Sequence, residues 1–285
     1  MSDNFLELLY PTYGQYFKVD EILFENKTDH QHLVIFKNEQ FGYVMALDGI
    51  IQTTEKDEFV YHEMLTHVPL FAHPNPERVL IIGGGDGGIL RETLRHSSVK
   101  RVVQVEIDQA VIDLCKNYFP KHSDGAFEDP RAEIVIADGM DYVRSAEETF
   151  DIIISDSTDP MGPGEVLFTN DFYQLAKARL NPGGVMVTQN GVCFMQLDEV
   201  INTTKRMGPL YKDQTFYTAP VPTYIGGVMT LAWATDDESL KHESREVIAE
   251  RFNKSGIKTR YYNPDIHVGA FALPQYVKDA IDACQ

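Results

Sequence analysis

The fold is decided by the stretch Val79-Leu80-Ile81-Ile82-Gly83-Gly84-Gly85-Asp86-Gly87-Gly88. Its four apolar residues, followed at once by turn-forming residues, are typical of a buried parallel strand. Gly83, Gly85 and Gly88 then have the G-x-G-x-x-G spacing, in which glycine permits a tight turn and a close approach of the backbone to a ligand. The stretch therefore predicts a strand, a ligand-binding loop and the start of a helix.

The residues that follow this loop indicate which ligand it binds. Residues 89–94 continue as a predicted helix, and a second short strand, 102–105, ends at Glu106. An acid about 20 residues beyond the glycines is placed to accept hydrogen bonds from both hydroxyls of a ribose. The glycine spacing alone is a weak signal, because a purely structural turn also produces it. With the strand before it and the acid after it, a nucleoside-binding site is favoured.

The composition excludes several classes of partner. The 285 residues are 43% hydrophobic and 24% charged, as in a soluble globular protein of one large or two modest domains. The net charge of −18 argues against nucleic acid and against an anionic membrane surface, since both need basic patches. Three scattered cysteines (Cys115, Cys193 and Cys284) indicate reduced thiols. Because the sequence shows neither a signal-peptide pattern nor an apolar run long enough to span a membrane, we expect a soluble, cytoplasmic protein.

Residues 1–60 are predicted to form a small antiparallel β domain. Its short segments rich in β-branched and aromatic residues are 16–19, 21–24, 32–36, 43–47 and 50–53. Asp48-Gly49 is a strong hairpin signal between the last two. This domain, which we call the leader, is too thin to bury both of its faces. We therefore expect it to pack on the next domain or on a second subunit, in a homodimer or homotetramer. Thr54 as cap, with Asp57 three residues later, predicts the first helix.

Residues 61–285 are predicted to form the larger domain. From Val79 onward, strand patterns alternate with helical ones. The predicted strands are 79–82, 102–105, 132–136, 150–154, 185–188 and 228–234. This alternation predicts an α/β fold with a doubly wound, mostly parallel sheet that is Rossmann-like, of the methyltransferase-like kind, with right-handed crossovers.

An acidic residue follows each of the first four strands of this sheet, and the fourth strand is followed by two. These acids are Asp86, Glu106, Asp138, Asp156 and Asp159. A single Asp after a strand is most often a turn former or a helix cap, but ligands of open α/β sheets bind beyond the carboxyl ends of the strands, where these five converge. Two suit a nucleoside, with Glu106 on the ribose and Asp138 near the adenine amino group. The other three need a cation, and because no histidine or cysteine set completes a metal site, an organic polycation is favoured over a metal.

Several longer motifs resemble the polyamine aminopropyltransferase family, in its bacterial spermidine synthase type. They are QTTEKDEF at 52–59, YHEM at 61–64, GGGDGG at 83–88, EID at 106–108, DG at 138–139, DSTDPMGP at 156–163 and PTY at 222–224. The resemblance runs from about Gln15 to Tyr276. It implies transfer of the aminopropyl group of decarboxylated S-adenosylmethionine, a co-substrate, onto putrescine, which gives spermidine and 5′-methylthioadenosine with no cofactor and no metal.

The resemblance also implies roles for the matching positions. The implied nucleoside-binding residues are Gln31, Gly83, Gly85, Asp86, Glu106, Asp138, Gly139 and Pro163. The implied diamine-binding residues are Gln52, Tyr61, His62, Asp86, Asp156, Asp159 and Tyr224. Asp156 would be the catalytic acid/base. Many relatives have Gln at the position of His62, which is otherwise a plain core or surface histidine, and Tyr61 and Tyr224 have a second interpretation as buried core aromatics.

The chemistry of the implied reaction suits these residues, and three other functions share some of their features. An amine nucleophile is an ammonium at neutral pH, so Asp156 is expected to orient it and to take or relay its proton. A nicotinamide dehydrogenase shares the glycine pattern, but no hydride-transfer apparatus is evident. A methyltransferase that uses intact S-adenosylmethionine would not need three acids at the crevice centre, and a non-catalytic polyamine-binding protein is the third alternative. The sequence does not fix the acceptor among putrescine, cadaverine and longer polyamines.

Overall fold

The computed structural model describes residues 4–158 and 162–284, without the side chains of Gly162 and Pro163. Residues 4–54 form two small antiparallel sheets. The first is the hairpin of β1 (Asn4–Tyr10) and β2 (Tyr13–Lys18). The second contains, in chain order, β3 (Glu21–Lys27), β4 (His32–Asn38), β5 (Gly42–Leu47) and β6 (Ile50–Thr54). The predicted strands of the leader are confirmed, and β1 is an additional strand that was not predicted.

The Asp48-Gly49 hairpin is confirmed. Both residues are in the left-handed region, with φ of 49° and 84°, and Leu47 pairs with Ile50 across the turn. Two successive positive φ angles match the right-handed twist of the flanking strands. The turn therefore fixes the register of the last hairpin before the larger sheet.

The larger sheet has seven strands in the order β12-β13-β11-β10-β7-β8-β9. They are β7 (Arg78–Gly83), β8 (Arg101–Glu106), β9 (Ala132–Ile136), β10 (Phe150–Asp156), β11 (Leu180–Val192), β12 (Asp213–Pro220) and β13 (Val228–Thr235). Strands β7 to β11 are mutually parallel, whereas β13 runs antiparallel to β11 and β12. The predicted mostly parallel, Rossmann-like sheet is confirmed, with β12 as a strand that was not predicted.

Helices cover both faces of this sheet. They are α1 (Glu58–Ala72), α2 (Gly88–Leu94), α3 (Gln109–Tyr118), α4 (Pro120–Ser123), α5 (Gly139–Ser145), α6 (Asn170–Ala178), α7 (Leu197–Met207), α8 (Arg245–Ser255), α9 (Pro264–Ala270) and α10 (Gln275–Asp282). Along β7, Val79 and Ile81 belong to one hydrophobic core, while Leu80 and Ile82 belong to the core on the opposite face. Burial on both faces explains why this strand is continuously apolar.

The predicted start of α1 is wrong. Thr54 is the last residue of β6, and α1 begins at Glu58 without a side-chain cap. Instead, the Thr54 hydroxyl donates to Oδ1 of Asp57 (2.6 Å), and Oδ2 of Asp57 accepts from the backbone N–H and hydroxyl of Thr223 (3.0 and 2.7 Å). The two polar side chains therefore join distant segments of the chain, so they do not close the first turn of the helix.

Helix α6 ends at Ala178, and α7 ends at Met207 and is followed by a short 3-10 turn, Gly208–Leu210. Across residues 4–158 and 162–284, none of the helices has the length and apolar character that crossing a membrane requires.

Candidate active site

A cavity of about 480 Å³ lies at the carboxyl ends of β7, β8, β9 and β10, between the sheet, the leader and α1. The predicted residues that line it are Gln31, Gln52, Tyr61, His62, Gly83, Gly85, Asp86, Glu106, Asp138, Gly139, Asp156 and Tyr224. Pro163 lies in a short 3-10 helix, Gly162–Phe168, without a described side chain, and Asp159 lies outside the described residues. The fold thus brings residues from both predicted domains to one cavity.

The glycine loop lies directly against two carboxylate residues. Gly83 has a φ of 84°, and a Cβ atom there would meet the carbonyl oxygen of Asp156. A Cβ atom on Gly85 would lie 2.8 Å from Oε2 of Glu106. Below the loop, Nε2 of Gln104 donates to the carbonyl oxygens of Gly83 (2.9 Å) and Gly84 (2.5 Å). The loop therefore needs glycine because its backbone packs on the ends of β8 and β10.

Glu106 is a buried carboxylate at the end of β8. Its Oε1 accepts a hydrogen bond of 2.9 Å from the backbone N–H of Asp108, and burial raises its pKa to about 7. Asp108 caps α3 through the backbone N–H of Ala110 (3.0 Å), and it also accepts from Nε2 of Gln31 (3.2 Å). Asp108 thereby holds Gln31 in the wall of the cavity, close to Glu106.

Asp138 is a helix cap, the common structural role of an Asp after a strand, and it also lines the cavity. Its Oδ1 accepts from the backbone N–H of Asp141 (3.1 Å), so it caps α5. Gly139, the first residue of that helix, packs so tightly that a Cβ atom would meet Cγ2 of Ile82. The loop after β9 therefore places a carboxylate and a bare backbone side by side at the edge of the cavity.

Asp156 is the last residue of β10 and pairs in register with Gly83 of β7. Its Oδ1 accepts a hydrogen bond of 2.5 Å from the hydroxyl of Tyr61. Burial raises the pKa of Asp156 to about 6, a change that the bond from Tyr61 opposes and the neighbouring charge of Asp86 reinforces. The pKa of this carboxyl group thereby lies close to neutral pH, so the group can both accept and release a proton.

His62 lies between two carboxylates. Its Nδ1 is 2.6 Å from Oε2 of Glu58, and its Nε2 is 3.1 Å from Oδ2 of Asp86. Burial lowers the pKa of His62, but Asp86 and Glu58 outweigh that effect and raise it well above its usual range. Oδ1 of Asp86 accepts from the backbone N–H of Gly88 (2.9 Å). Burial acts to raise the pKa of Asp86, but His62 outweighs it and holds it low.

Tyr224 and Gln52 form the opposite wall. The Tyr224 hydroxyl donates to the backbone carbonyl of Gln52 (2.8 Å), and its ring meets that of Tyr61 edge-on at 5.6 Å. Both tyrosines also pack in or against the core that contains α1, so each has its structural interpretation as well as a face on the cavity.

Some residues of the cavity were not predicted. Glu7, Leu8 and Leu9 of β1 contribute to the wall, and Nε2 of Gln15 donates both to Oε2 of Glu7 (2.7 Å) and to the carbonyl oxygen of Thr223 (2.6 Å). No pattern in the sequence marked β1. The contact of Glu58 with His62 had a detectable signal, because residues four apart lie on one face of a helix. No group of three His, Cys, Asp or Glu suited to a metal ion occurs within the described ranges.

Comparison with known proteins decides the family. Residues 58–244 match the family model for the spermine/spermidine synthase domain. The chain belongs to the spermine/spermidine synthase family. Residues 5–55 match a second model, the spermidine synthase tetramerisation domain, which supports a homo-oligomer as predicted from the thin leader.

Relatives and solved structures agree with this assignment over nearly the whole chain. Polyamine aminopropyltransferase 1 of Pseudomonas aeruginosa is 61% identical over 99% of this chain and 98% of its own length. A polyamine aminopropyltransferase of Klebsiella pneumoniae is 56% identical over 99% of this chain and 100% of its own length. The predicted resemblance is confirmed, and this member of the spermine/spermidine synthase family is a transferase.

Two crystal structures share the fold. A spermidine synthase in complex with the transition-state analogue AdoDATO is 40% identical, with a TM-score of 0.93, and the alignment covers 98% of this chain and 95% of that one. The spermidine synthase from Thermotoga maritima is also 40% identical, with a TM-score of 0.91 over 98% of this chain and 94% of that one. Both support the spermidine synthase function that the motifs predicted.

Proposed function

We propose that the cavity transfers the aminopropyl group of decarboxylated S-adenosylmethionine to putrescine, giving spermidine and 5′-methylthioadenosine. The amine nitrogen attacks the methylene carbon beside the sulfonium, the carbon–sulfur bond breaks, and its electron pair stays on sulfur. One proton leaves the amine. The observation that carries the proposal is that Asp86 and Asp156, suited to cations, share one cavity with the buried Glu106. The sulfonium compound is consumed, so it is a co-substrate, and no cofactor is needed.

The nucleoside half of the cavity is assigned to the loops after β7, β8 and β9. Glu106 accepts hydrogen bonds from the ribose hydroxyls, and Asp138 with Gly139 holds the adenine. Gly83 and Gly85 let the backbone approach the ligand. Gln31 and Pro163 complete this half as nucleoside-binding residues.

The diamine half is assigned to α1, β6, the loop after β12 and the end of β10. Asp156 orients the attacking amine. Asp86, at the junction of the two halves, also binds the diamine. The remaining diamine-binding residues are Gln52, Tyr61, His62, Asp159 and Tyr224. The aromatic pair of Tyr61 and Tyr224 gives the methylene chain an apolar wall, while the carboxylates bind the ammonium ends.

Asp156 is the proposed catalytic base, and its pKa makes that role feasible. An amine has a reference pKa of about 10.4, and burial raises the pKa of Asp156 to about 6, so transfer of the proton costs about 6 kcal/mol. With an unperturbed Asp of pKa about 3.9, the same transfer would cost about 9 kcal/mol. The neighbouring sulfonium further disfavours the charged amine. Alignment of the two substrates supplies most of the remaining acceleration.

Three further assignments belong to this proposal. The chain divides at residue 60 into an N-terminal β domain, 1–60, and a catalytic domain, 61–285. It assembles as a homodimer or homotetramer through the leader. It works in the cytoplasm, where its small-molecule substrates are found.

The test is incubation of the purified chain with decarboxylated S-adenosylmethionine and a panel of diamines, with the products identified by mass spectrometry. Spermidine and 5′-methylthioadenosine in equal amounts are the expected products with putrescine. Reactions with cadaverine and with spermidine itself define the acceptor range. Absence of aminopropylated product, or methylated putrescine from intact S-adenosylmethionine, would refute the proposal.

A further inference from the structure

A carboxylate–imidazole–carboxylate triad, formed by Asp86, His62 and Glu58, runs from the cavity into the contact between α1 and α2. Asp86 and His62 line the cavity, whereas Glu58 lies behind them on the far side of the imidazole ring. All three are largely buried: the side chains of His62, Asp86 and Glu58 are exposed by 4%, 9% and 10%. The proposed function uses Asp86 and His62 and leaves Glu58 without a role.

The contacts of His62 fix the charge of this triad. Nδ1 of His62 is hydrogen-bonded to Glu58 at 2.6 Å, and its Nε2 forms an ion-pair contact with Asp86 at 3.1 Å. Because an ionised carboxylate only accepts hydrogen bonds, both ring nitrogens carry a proton where they face these two carboxylates. A neutral imidazole would set a lone pair against one of the two carboxylates. The three side chains therefore carry a net charge of −1, with the imidazolium in the middle.

The groups around this triad keep Glu58 in place. The guanidinium of Arg91 on α2 donates to Oε2 of Glu58 (2.9 Å). Among the described residues, the other titratable or charged groups around His62 are His122 from α4, Tyr61 beside it on α1 and Asp156 at the end of β10. Burial lowers the pKa of His122, whose Nε2 is bonded to the Thr53 hydroxyl (2.9 Å), and so favours the neutral form of this second imidazole.

We infer that Glu58 is a positioning residue that sets the charge which Asp86 presents to the substrate. Its carboxylate holds the His62 imidazolium against Asp86 and cancels the charge of that imidazolium. A ligand in the cavity then meets one net negative charge, which attracts the terminal ammonium of decarboxylated S-adenosylmethionine and repels the extra carboxylate of the intact compound. This inference deepens the proposed function and rests on it for the identity of the ligands.

Without the Glu58 charge, the preference between the two ligands becomes dependent on pH. Below the pKa of His62, the His62–Asp86 pair alone carries no net charge, and the carboxylate of the intact compound is no longer repelled. Above that pKa, His62 is neutral and the charge of Asp86 is restored. With a single carboxylate partner left, the pKa of His62 is lower than in the wild type, because the contribution of Glu58 that raises it is lost.

The test compares Glu58→Gln with the matched control Glu92→Gln. Glu92 is buried more deeply than Glu58, with 2% of its side chain exposed. It also bonds Arg91 and contacts a buried histidine, His67 (2.9 Å), but it is not part of the cavity. Calorimetry measures the affinities for both sulfonium compounds at pH 6, 7.5 and 9. In Glu58→Gln, the ratio of affinities should fall at least about tenfold below the wild-type ratio at pH 6 and recover at pH 9. In Glu92→Gln, the ratio should follow the wild type at every pH.

Equal losses of affinity for both ligands at all pH values in Glu58→Gln would make Glu58 merely structural and overturn the inference. A second measurement needs neither a variant of Glu58 nor a substrate. The imidazole ¹⁵N spectrum of the wild-type protein at pH 8 should show both ring nitrogens of His62 protonated, with the signal assigned by its loss in His62→Gln. A neutral His62 ring would also overturn it. Failure of the wild type to make spermidine would refute the proposed function alone, because the imidazole spectrum does not depend on substrate.

Discussion

The hydroxyl of Tyr61 donates a hydrogen bond of 2.5 Å to Oδ1 of Asp156, which joins the first turns of α1 to the end of β10. This bond stabilises the ionised carboxylate, while burial of Asp156 favours its protonated form. The two opposing effects leave the pKa of Asp156 at about 6. The proposed base is therefore tuned by a residue from the segment that joins the leader to the larger sheet.

Replacement of Asp156 by Asn should lower kcat by about 10² to 10⁴, as expected for the loss of a positioned general base. Binding of 5′-methylthioadenosine should survive, because the ribose contacts are assigned to Glu106. Steady-state kinetics and calorimetry measure the two quantities. Asp151→Asn, at the other end of β10, is the control and should keep kcat, since Asp151 bonds the backbone N–H groups of Glu77 and Arg78 far from the cavity. Wild-type turnover in Asp156→Asn would disprove the assignment.

Replacement of Tyr61 by Phe should shift the pH dependence of kcat. In the wild type, the rate should rise from pH 6 toward pH 9 as Asp156 ionises and more amine is free. Loss of the Tyr61 hydrogen bond raises the pKa of Asp156, so the rising limb should move to higher pH. Tyr217→Phe is the control, because the Tyr217 hydroxyl is buried against the carbonyl of Met64 (3.2 Å) and does not contact Asp156. An unchanged limb in Tyr61→Phe would argue against Asp156 as the titrating group.

Replacement of Glu106 by Gln should weaken nucleoside binding and stabilise the free protein. Burial raises the pKa of Glu106 from 4.5 to about 7, so the folded state holds its proton more tightly than the unfolded state does. Ionisation of this acid therefore costs stability as the pH rises above 4.5, and a neutral amide removes that cost. The free energy of unfolding should increase by about 1–3 kcal/mol at pH 8, with the gain fading toward pH 5. Urea denaturation measures it.

The same variant has an opposite effect on the ligand. Affinity for 5′-methylthioadenosine should fall at least about tenfold, because hydrogen bonds from the ribose to a charged acceptor are lost. Calorimetry at pH 8 measures this loss. A variant that is no more stable than the wild type, or that binds the nucleoside equally well, would contradict the assigned state or role of Glu106.

The decarboxylated substrate should bind at least about 100-fold more tightly than intact S-adenosylmethionine, a difference of about 2.7 kcal/mol. The terminal ammonium gains a charge-assisted bond to Asp86, whereas the intact compound brings a second carboxylate into an acidic cavity. Asp86→Asn should shrink this preference by weakening the decarboxylated ligand more. Calorimetry with both compounds decides it, and comparable affinities in the wild type would favour a methyltransferase.

The hairpin β1–β2 should mediate association of subunits. Leu6 and Tyr16 are cross-strand neighbours with exposures of 58% and 70%, so they form an apolar outer face. The double substitution Leu6→Glu with Tyr16→Glu should dissociate the oligomer by burying charge at its interface. Light scattering at micromolar concentration measures the mass against a monomer of 32.3 kDa. Val268→Glu, equally apolar at 45% exposure on α9, should leave the mass unchanged. A wild-type monomer would refute the association.

The sequence was most informative where local chemistry determines local structure. The apolar run before Gly83, the glycine spacing and the hairpin at Asp48-Gly49 each need only their neighbours. The strand, the turn into the next helix and the hairpin that they predicted are confirmed. The start of α1 was predicted wrongly because Asp57 is bonded to Thr223, a partner 166 residues away that no local pattern reveals. Strand β1 was missed because exposure along it does not follow hydrophobicity: Leu6 and Leu8 are exposed by 58% and 63%, whereas Glu7 is buried.

The site was predictable as a set of residues but not as a set of contacts. Motif resemblance named many of the residues that line the cavity, among them Asp156 and Tyr61. Their pairing depends on how α1 crosses the end of β10, which only the packed structure determines. The same holds for Gln104, which supports the glycine loop from inside the sheet without any motif of its own.

Thr223 ties the wall proposed to bind the diamine to the beginning of the chain. Its carbonyl oxygen accepts from Gln15, 208 residues earlier, and its N–H and hydroxyl donate to Asp57, 166 residues earlier. Contacts between such distant positions form after local ones, because closing long loops costs entropy. During synthesis from the N-terminus, the strands that hold the nucleoside loops leave the ribosome before Thr223 is made. The half of the cavity proposed to receive the acceptor amine is therefore completed last.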